Sequence, residues 1–402
     1  MRAPPTRLML RRNGGLDDRS RRRADTGLSL AVEAIGNKHS GGATVLKGLL
    51  VAAAGDHRFS RVSVFCSPRD HRTFDLPLSD KINEIECSLC ERSRIYRLWW
   101  LQNRLPSAVR KFGADVLLCM GGFGSAGDGL PHVTFIQQSL PFSQEALARC
   151  SRLARVGLRV HVTAMRTSCR TSQRVIVQTD VMQRCVAAEF AIPIEKIDVV
   201  KPDVDDLPRP TVLSKSIAAM SATWPGKRLL YVGNQSSYKN TAVLTRAVTI
   251  MRKSCSGLKL FLTWPPDAPD CQQDGVVGLG YLQGAELRQA YELADALVMP
   301  SLVETVGLPM LEAMNVGIPV IAADRPYAHD VCEDAAVFFD PLDASALAHR
   351  ITRVLCDEDL RRDLVCRGRD IIRKRRAARP YERMVDIVAK VVSARDEVGN
   401  LR

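Results

Sequence analysis

The amino-acid sequence predicts an α/β chain built on parallel sheets in two domains. Three observations carry this. The stretch Leu297–Asp324, LVMPSLVETVGLPMLEAMNVGIPVIAAD, reads as strand, acidic loop, helix and strand, which is the βαβ grammar of a parallel sheet. Short apolar runs alternate with longer helical patterns along most of the chain. The length, 402 residues, exceeds one typical core and suggests two domains of roughly 150–200 residues each.

Within Leu297–Asp324 the apolar run ends at a polar loop carrying Glu304. Gly307-Leu308-Pro309 then opens a helix bearing Glu312, and Gly317 closes it; Pro in a first turn and Gly past a helix end are the expected punctuation. Ligands of open α/β sheets bind outside the carboxyl ends of the strands. A helix starting there points unpaired N–H groups and its positive dipole end at them. The amides of Gly307 and Leu308 suit a phosphate, whereas Glu304 and Glu312 repel one and are better acceptors for sugar or ribose hydroxyls. A sugar nucleotide supplies both. Taken alone, the same residues also read as a helix start with acidic residues favoured by the dipole.

Glu304-x7-Glu312 inside ETVGLPMLEAMNVGIPVIAAD resembles the signature of retaining GT-B glycosyltransferases of the family 4 type. The resemblance implies two Rossmann-like domains facing across a cleft, with a C-terminal helix crossing back to the first domain. It places an N-terminal acceptor-side domain at 27–206, a linker at 207–227, a C-terminal nucleotide-sugar domain at 228–375 and the returning helix in 376–402, after a basic arm at 1–26. It extends over most of residues 28–396, strongly from Leu229 to Phe339.

Composition sets the outer bounds. A hydrophobic share of 46% with 25% charged residues is an ordinary globular balance, and no run of about 18 apolar residues predicts a membrane span. Twelve cysteines without framework spacing read as reduced thiols of a cytoplasmic protein. Cys87-x-x-Cys90 lacks the second pair that a zinc site would add. The net charge of +13 favours anionic partners: acidic lipid, nucleic acid or phosphorylated small molecules. Residues 1–26 carry no apolar core for a secretory signal, and Asp17, Asp18 and Asp25 argue against a transit peptide.

The elements follow in order. Leu28–Val32 predicts a strand, entering Gly36-Asn37-Lys38-His39-Ser40-Gly41-Gly42 and a helix over Thr44–Ala53. This turn lacks the dinucleotide spacing G-x-G-x-x-G. By resemblance Gly41 and Gly42 face the acceptor and the donor phosphates; on spacing alone they also make an ordinary tight turn. Val62–Cys66 and Ile82–Glu86 predict strands. Arg92–Phe112 brings six basic side chains beside Trp99 and Trp100. Ile95, Leu98, Trp99, Gln102 and Leu105 line one helical face that Pro106 ends. Such a helix suits either an anionic bilayer surface or packing against its own sheet.

Asp115–Met120 and Val133–Ile136 predict strands. The second ends at Gln137-Gln138, where many relatives carry a His near the donor sugar; an amide can bond a hydroxyl but cannot act as acid or base near neutral pH. Arg174–Gln178 (strand), Asp180–Phe190 (helix) and Lys196–Val200 (strand) complete the first domain. Asp203-x-Asp205 reads as a turn rather than a metal pair. Leu207–Lys227, with Pro208, Pro210 and Pro225, has linker composition. Leu229–Gly233 predicts the strand that opens the second domain, and Thr241–Met251 its first helix. By resemblance Gly233, Asn234 and Lys239 line the donor diphosphate, with Asn234 standing where an Arg is usual. Leu258–Thr263 predicts a strand, by resemblance Leu282 lies in the segment beside the base, and Glu286–Ala294 predicts a helix. After the acidic unit come a strand over Ala335–Phe339 and helices over Ser345–Leu355, Leu360–Lys374 and Arg379–Asp396.

The resemblance therefore implies a hexosyltransferase-like enzyme without a bound metal or resident cofactor, using a nucleoside-diphosphate sugar as co-substrate. Glu304 and Lys239 are its expected catalytic pair. Gly233, Asn234, Lys239, Leu282, Glu304, Thr305, Gly307, Leu308 and Glu312 are its expected donor residues, and Gly41, Gly42, Gln137 and Gln138 line the acceptor side. The expected acceptor is a saccharide or lipid-linked hydroxyl. Peripheral contact with the inner face of an anionic membrane is a further expectation; nucleic acid is not. A sugar-nucleotide epimerase and a catalytically silent sugar-binding scaffold are the competing readings.

Overall fold

The computed structural model describes residues 27–36, 41–67, 79–91, 93–124, 129–212, 217, 220, 225–255 and 257–399. The expected arm at 1–26 and the expected loop residues Asn37–Ser40 lie outside them. Two all-parallel sheets carry the fold. The first joins β1 (Leu28–Glu33), β2 (Phe59–Cys66), β3 (Ile82–Glu86), β4 (Val116–Cys119), β5 (His132–Phe135), β6 (Arg174–Val177) and β7 (Ile197–Val199) in the order β3-β2-β1-β4-β5-β6-β7. The second joins β8 (Arg228–Tyr231), β9 (Lys259–Leu262), β10 (Val276–Gly278), β11 (Ala296–Met299), β12 (Val320–Ala323) and β13 (Ala336–Phe339) in the order β10-β9-β8-β11-β12-β13. The strand order reverses between β1 and β4 in one sheet and between β8 and β11 in the other. Those two switch points are where an open sheet leaves a crevice at its carboxyl edge.

Helices cover both sheets. The first domain holds α1 (Gly41–Gly55), α2 (Arg94–Asn103), α3 (Leu105–Lys111), α4 (Gln144–Ala148), α5 (Arg152–Thr171) and α6 (Asp180–Phe190). The second holds α7 (Thr241–Arg252), α8 (Gly284–Leu293), α9 (Leu308–Val316), α10 (Pro326–Cys332), α11 (Ala344–Cys356) and α12 (Glu358–Ala377). The last helix, α13 (Pro380–Gly399), returns to the first sheet, where Met384, Val385, Val388 and Val392 join the core of α1, Leu30, Val32 and Val116. Gly48 permits this: a Cβ there would stand 2.4 Å from the Tyr381 ring. Tyr381 in turn donates to the Asp203 carbonyl at 2.9 Å.

Side-chain alternation explains the layering. Leu30 and Val32 of β1 face the α1–α13 layer, whereas Ala31 faces the layer of α2, α3, α5 and α6. Side-chain caps start several helices: Ser93, Ser143, Ser151, Thr179, Asp343 and Asp357 each accept from a first-turn N–H.

Several details differ from the sequence expectations. The helix expected to end at Pro106 does end just before it, and a second helix, α3, follows with Pro106 in its first turn, where its missing N–H costs nothing. The inner face of this stretch is turned: Trp100, Leu101 and Leu105 are buried, while Trp99 and Gln102 are exposed. The expected linker is packed in part, with Ile217 and Met220 buried in the second core and Arg288 donating to the Leu207 carbonyl at 3.1 Å. Three helices, α4, α5 and α10, have no counterpart among the expected elements.

Candidate active site

The loops leaving β8 and β11 meet at the second switch point, and they carry the two expected catalytic residues. Lys239 ends a short 3-10 turn, Ser237–Lys239, before α7. Asn240 follows with φ +55°, a left-handed conformation that Asn tolerates better than most residues. Its buried amide donates to the Pro300 carbonyl at 3.3 Å and the Pro341 carbonyl at 2.7 Å. Leu302 N–H donates to the Tyr238 carbonyl at 2.9 Å. These bonds fasten the Lys239 turn to the β11 loop. Lys239 Nζ consequently lies 2.6 Å from Glu304 Oε1, with each side chain only 12% exposed.

The other residues expected on the donor side lie in the same domain. Gly307 caps α9 with φ +76°, and a Cβ there would stand 2.7 Å from Met310 Cε. A side chain at this cap is therefore disfavoured by the left-handed backbone, and it would also displace the flexible end of Met310. The N–H groups of Gly307 and Leu308 have no backbone acceptor among the described residues, as expected of a helix start. Gly233 is fixed from both sides: its N–H donates to Thr263 Oγ1 at 3.1 Å and its carbonyl accepts from Trp264 Nε1 at 2.7 Å. Asn234 is exposed, and its carbonyl accepts from Tyr231 Oη at 3.4 Å.

Glu312 lies one face along α9 and accepts from Tyr291 Oη through Oε2 at 2.7 Å. Burial pushes its carboxyl above the ordinary range, with the tyrosine bond opposing the shift. Leu282, expected in the segment beside the base, has its side chain buried in the second-domain core.

Residues expected on the acceptor side touch residues expected on the donor side directly. A Cβ on Gly41 would stand 2.9 Å from Leu308 Cδ1, so Gly41 brings the first turn of α1 against the first turn of α9. Gly42 is the next residue of α1. Both glycines are therefore helical, not part of the preceding loop. Thr305 Oγ1 donates to the Gln137 carbonyl at 3.0 Å, and its own carbonyl accepts from Thr179 Oγ1 at 3.4 Å. The Gln137 amide donates to the Met120 carbonyl at 3.0 Å. Gln138 is partly exposed beside it. Gly41 with Leu308 and Gln137 with Thr305 thus bring expected acceptor residues against expected donor residues.

Sequence reasoning missed Glu33. It is fully buried at the carboxyl end of β1, and its carboxylate accepts from Ile35 N–H at 2.9 Å and Gly121 N–H at 3.1 Å. One carboxylate therefore organises the loops after β1 and β4, which form the first switch point. Its place as the last residue of an apolar strand was the available signal. Also missed were ties between the domains: Arg325 binds both oxygens of Glu145 at 2.9 and 2.8 Å, Arg149 donates to Asn240 Oδ1 at 2.9 Å, and Lys201 lies 2.8 Å from Asp330.

Asp203 accepts from Val204 N–H at 2.7 Å and lies 3.6 Å from Arg376. Among the described residues no group of three or more His, Cys, Asp or Glu is placed to hold a metal ion. The arrangement offers one lysine, one carboxylate and helix-start amides at one point. Chemically it can hold an anion and a polyhydroxyl group side by side.

Comparison with known proteins adds to this geometry. Residues 226–357 match the family model described as Glycosyl transferases group 1. O-antigen chain mannosyltransferase B of Escherichia coli is 25% identical over 219 residues, covering 51% of this chain and 57% of that protein. The chain thus spans little more than half the length of that relative. Among solved structures, sucrose-phosphate synthase from Thermosynechococcus elongatus aligns over 91% of this chain and 100% of its own, with a TM-score of 0.69 at 19% identity. Anabaena HepE in complex with UDP and glucose aligns over 90% and 99%, with a TM-score of 0.67 at 15% identity. These likenesses show the GT-B fold: two Rossmann-like domains facing across a cleft.

Proposed function

From a second domain of the glycosyl transferases group 1 family, we propose that the chain moves a sugar from a nucleoside-diphosphate donor to an acceptor hydroxyl, with retained anomeric configuration. The observation that carries this reading is the Lys239–Glu304 pair, 2.6 Å apart at the second switch point beside the α9 amides. Lys239 and the N–H groups of Gly307 and Leu308 stabilise the departing diphosphate as negative charge develops on it. They supply the positive charge that a metal provides elsewhere, so the transfer is metal-independent. Glu304 accepts from hydroxyls of the donor sugar. Glu312, with Oε2 taken by Tyr291, accepts from the ribose through Oε1. Holding donor and acceptor in one cleft removes the entropy of their encounter. Gln137 and Gln138 bond hydroxyls and move no proton at neutral pH; the leaving phosphate takes the acceptor proton.

The name of the Escherichia coli relative and the UDP and glucose of the Anabaena complex support a nucleotide-sugar donor and a role in cell-surface polysaccharide or glycolipid assembly. The net charge of +13 supports a position on the cytoplasmic, anionic face of a membrane. Among the described residues no helix is long and apolar enough to cross one.

A panel of nucleoside-diphosphate sugars, screened by thermal stabilisation and then by nucleotide release, tests the proposal. A true donor at about 100 times its Kd adds about 2.7 kcal/mol of stability. Stabilisation by none of the panel overturns the donor site. Binding without release of nucleotide, with or without acceptors, would point to the silent sugar-binding reading instead.

A further inference from the structure

Helix α5, Arg152–Thr171, enters the fold with only its second half. Ala164, Met165, Ser168 and Cys169 are buried, whereas every residue from Arg152 to Val160 except Leu158 is exposed. On that projecting half Leu153 is 84%, Val156 58% and Val160 53% exposed. Their spacing of three and four residues places them in one stripe along the helix. Isolated exposed aliphatic side chains are common on any surface, but three in register on one helix are not.

The charge on the same helix is one-sided. Residues 152–171 contain five arginines and no aspartate or glutamate. Arg166 lies 3.3 Å from Glu189 and Arg170 donates to the Phe190 carbonyl at 3.2 Å. Arg152, Arg155 and Arg159 make no ion pair among the described residues. Beyond Val160 the stripe runs into a groove of about 1300 Å³ between α5 and α13. Ala164 and Thr171 line one wall of it, and Ile387, Lys390 and Val391 the other.

We infer that the exposed face of α5 docks this chain on an anionic lipid bilayer, with Leu153, Val156 and Val160 entering the headgroup region and Arg152, Arg155 and Arg159 binding lipid phosphates. This rests on the membrane position proposed above and names the surface that provides it. A narrow aliphatic stripe beside unpaired arginines is the pattern of an interfacial helix. A second copy of the chain is a poor occupant, because a two-fold contact through α5 would set arginines against arginines with no carboxylate between them. A standard protein interface is also broader, about 800 Å² per partner, and depleted of charge at its centre. The inference moves the membrane contact away from α2, where Trp100 and Leu101 are committed to the core and Arg104 covers the Trp99 ring at 5.7 Å.

Co-sedimentation of the full chain with phosphatidylcholine vesicles, with and without phosphatidylglycerol, tests it. The wild-type chain is expected to bind only the anionic vesicles, more weakly as salt rises. Replacing all three arginines, Arg152→Gln, Arg155→Gln and Arg159→Gln, is expected to lower partitioning on the order of 100-fold. Leu153→Asp with Val156→Asp and Val160→Asp is expected to lower it at least as far, whereas Trp99→Ala leaves it unchanged. Unaltered Tm and unaltered stabilisation by nucleoside diphosphate establish that the variants fold. Wild-type chain that ignores anionic vesicles overturns both this inference and the membrane reading. Wild-type binding that survives both sets of α5 substitutions overturns only the assignment to α5, as does a halving of solution mass in those variants, which would mark α5 as a dimer contact.

Discussion

Replacing Glu304 by Gln and Lys239 by Met separates the two halves of the donor site. Lys239 Nζ and Glu304 Oε1 stand 2.6 Å apart, which corresponds to about 6 kcal/mol of attraction at an effective dielectric of about 20. Most of that is offset by removing both charges from water. Losing one partner of a buried pair costs about 3–5 kcal/mol, because the other charge stays desolvated; the residual exposure here sets the expectation at about 3 kcal/mol. For a domain of this size, about 3 kcal/mol lowers Tm by roughly 6–12 °C. Both variants should show that fall, and they should then diverge. Glu304→Gln leaves a lysine without its counter-charge, so a nucleoside diphosphate should restore much of the lost Tm. Lys239→Met removes the cation, and the diphosphate should bind about 10–100-fold more weakly, the worth of one charge-assisted hydrogen bond. Sugar transfer should drop about 10²–10³-fold in Glu304→Gln, as for loss of one preorganised polar group at a reacting centre. Differential scanning fluorimetry with and without nucleotide, followed by turnover at saturating donor, gives all four readings. Equal stabilisation of both variants by the diphosphate, or unchanged transfer in Glu304→Gln, would refute the reasoning.

Three further outcomes follow from other residues. Burial pushes the buried His132 down to about 4, so the unfolded chain takes up its proton near pH 6.5 and the folded chain does not until about pH 4. Stability should therefore fall as pH drops through that window, by about 3 kcal/mol at its foot, and hold constant above it; urea midpoints of His132→Gln should lose this component. Gly307→Ala meets Met310 Cε and a φ of +76°, so we expect about 1–2 kcal/mol of strain and a several-fold rise in donor KM, measured by initial rates. Asn240→Ala leaves the Pro300 and Pro341 carbonyls without their donor, a loss of about 2–4 kcal/mol, visible as faster amide exchange in α7.

The fold was legible wherever an apolar run and its punctuation agreed. β11, β12 and α9 follow from an unbroken apolar run, a Gly-Leu-Pro helix start and a terminal Gly, because each of these limits backbone freedom locally. Boundaries set by tertiary packing were less legible. Trp99 and Trp100 are adjacent and equally apolar, and only the position of the sheet decides that Trp100 goes inside. Helix α5 escaped for a related reason. Half of its apolar spacing does not face a core, so it resembles neither a buried helix nor a polar loop.

The candidate site divides along the same line. Glu304 and Lys239 are 65 residues apart, yet strand order places both at the reversal between β8 and β11, so a motif and a topology suffice to pair them. The contacts that set their distance are less accessible to sequence reading. Asn240 acts through two proline carbonyls from separate loops, and Thr305 reaches the carbonyl of Gln137, not its side chain. A backbone acceptor is common to every residue type and leaves no mark in the sequence. Glu33 shows the converse: its chemistry is visible, but a carboxylate ending an apolar strand also reads as the strand's exit to solvent. Its bonds from the Ile35 and Gly121 N–H groups reveal it as an anchor of the loops after β1 and β4. The proposed donor side therefore rests on side chains that carry charge, and the proposed acceptor side on backbone held in place from behind. Acceptor choice should accordingly respond more to loop exchange around Gly36 and Gly121 than to any single side-chain substitution in the cleft.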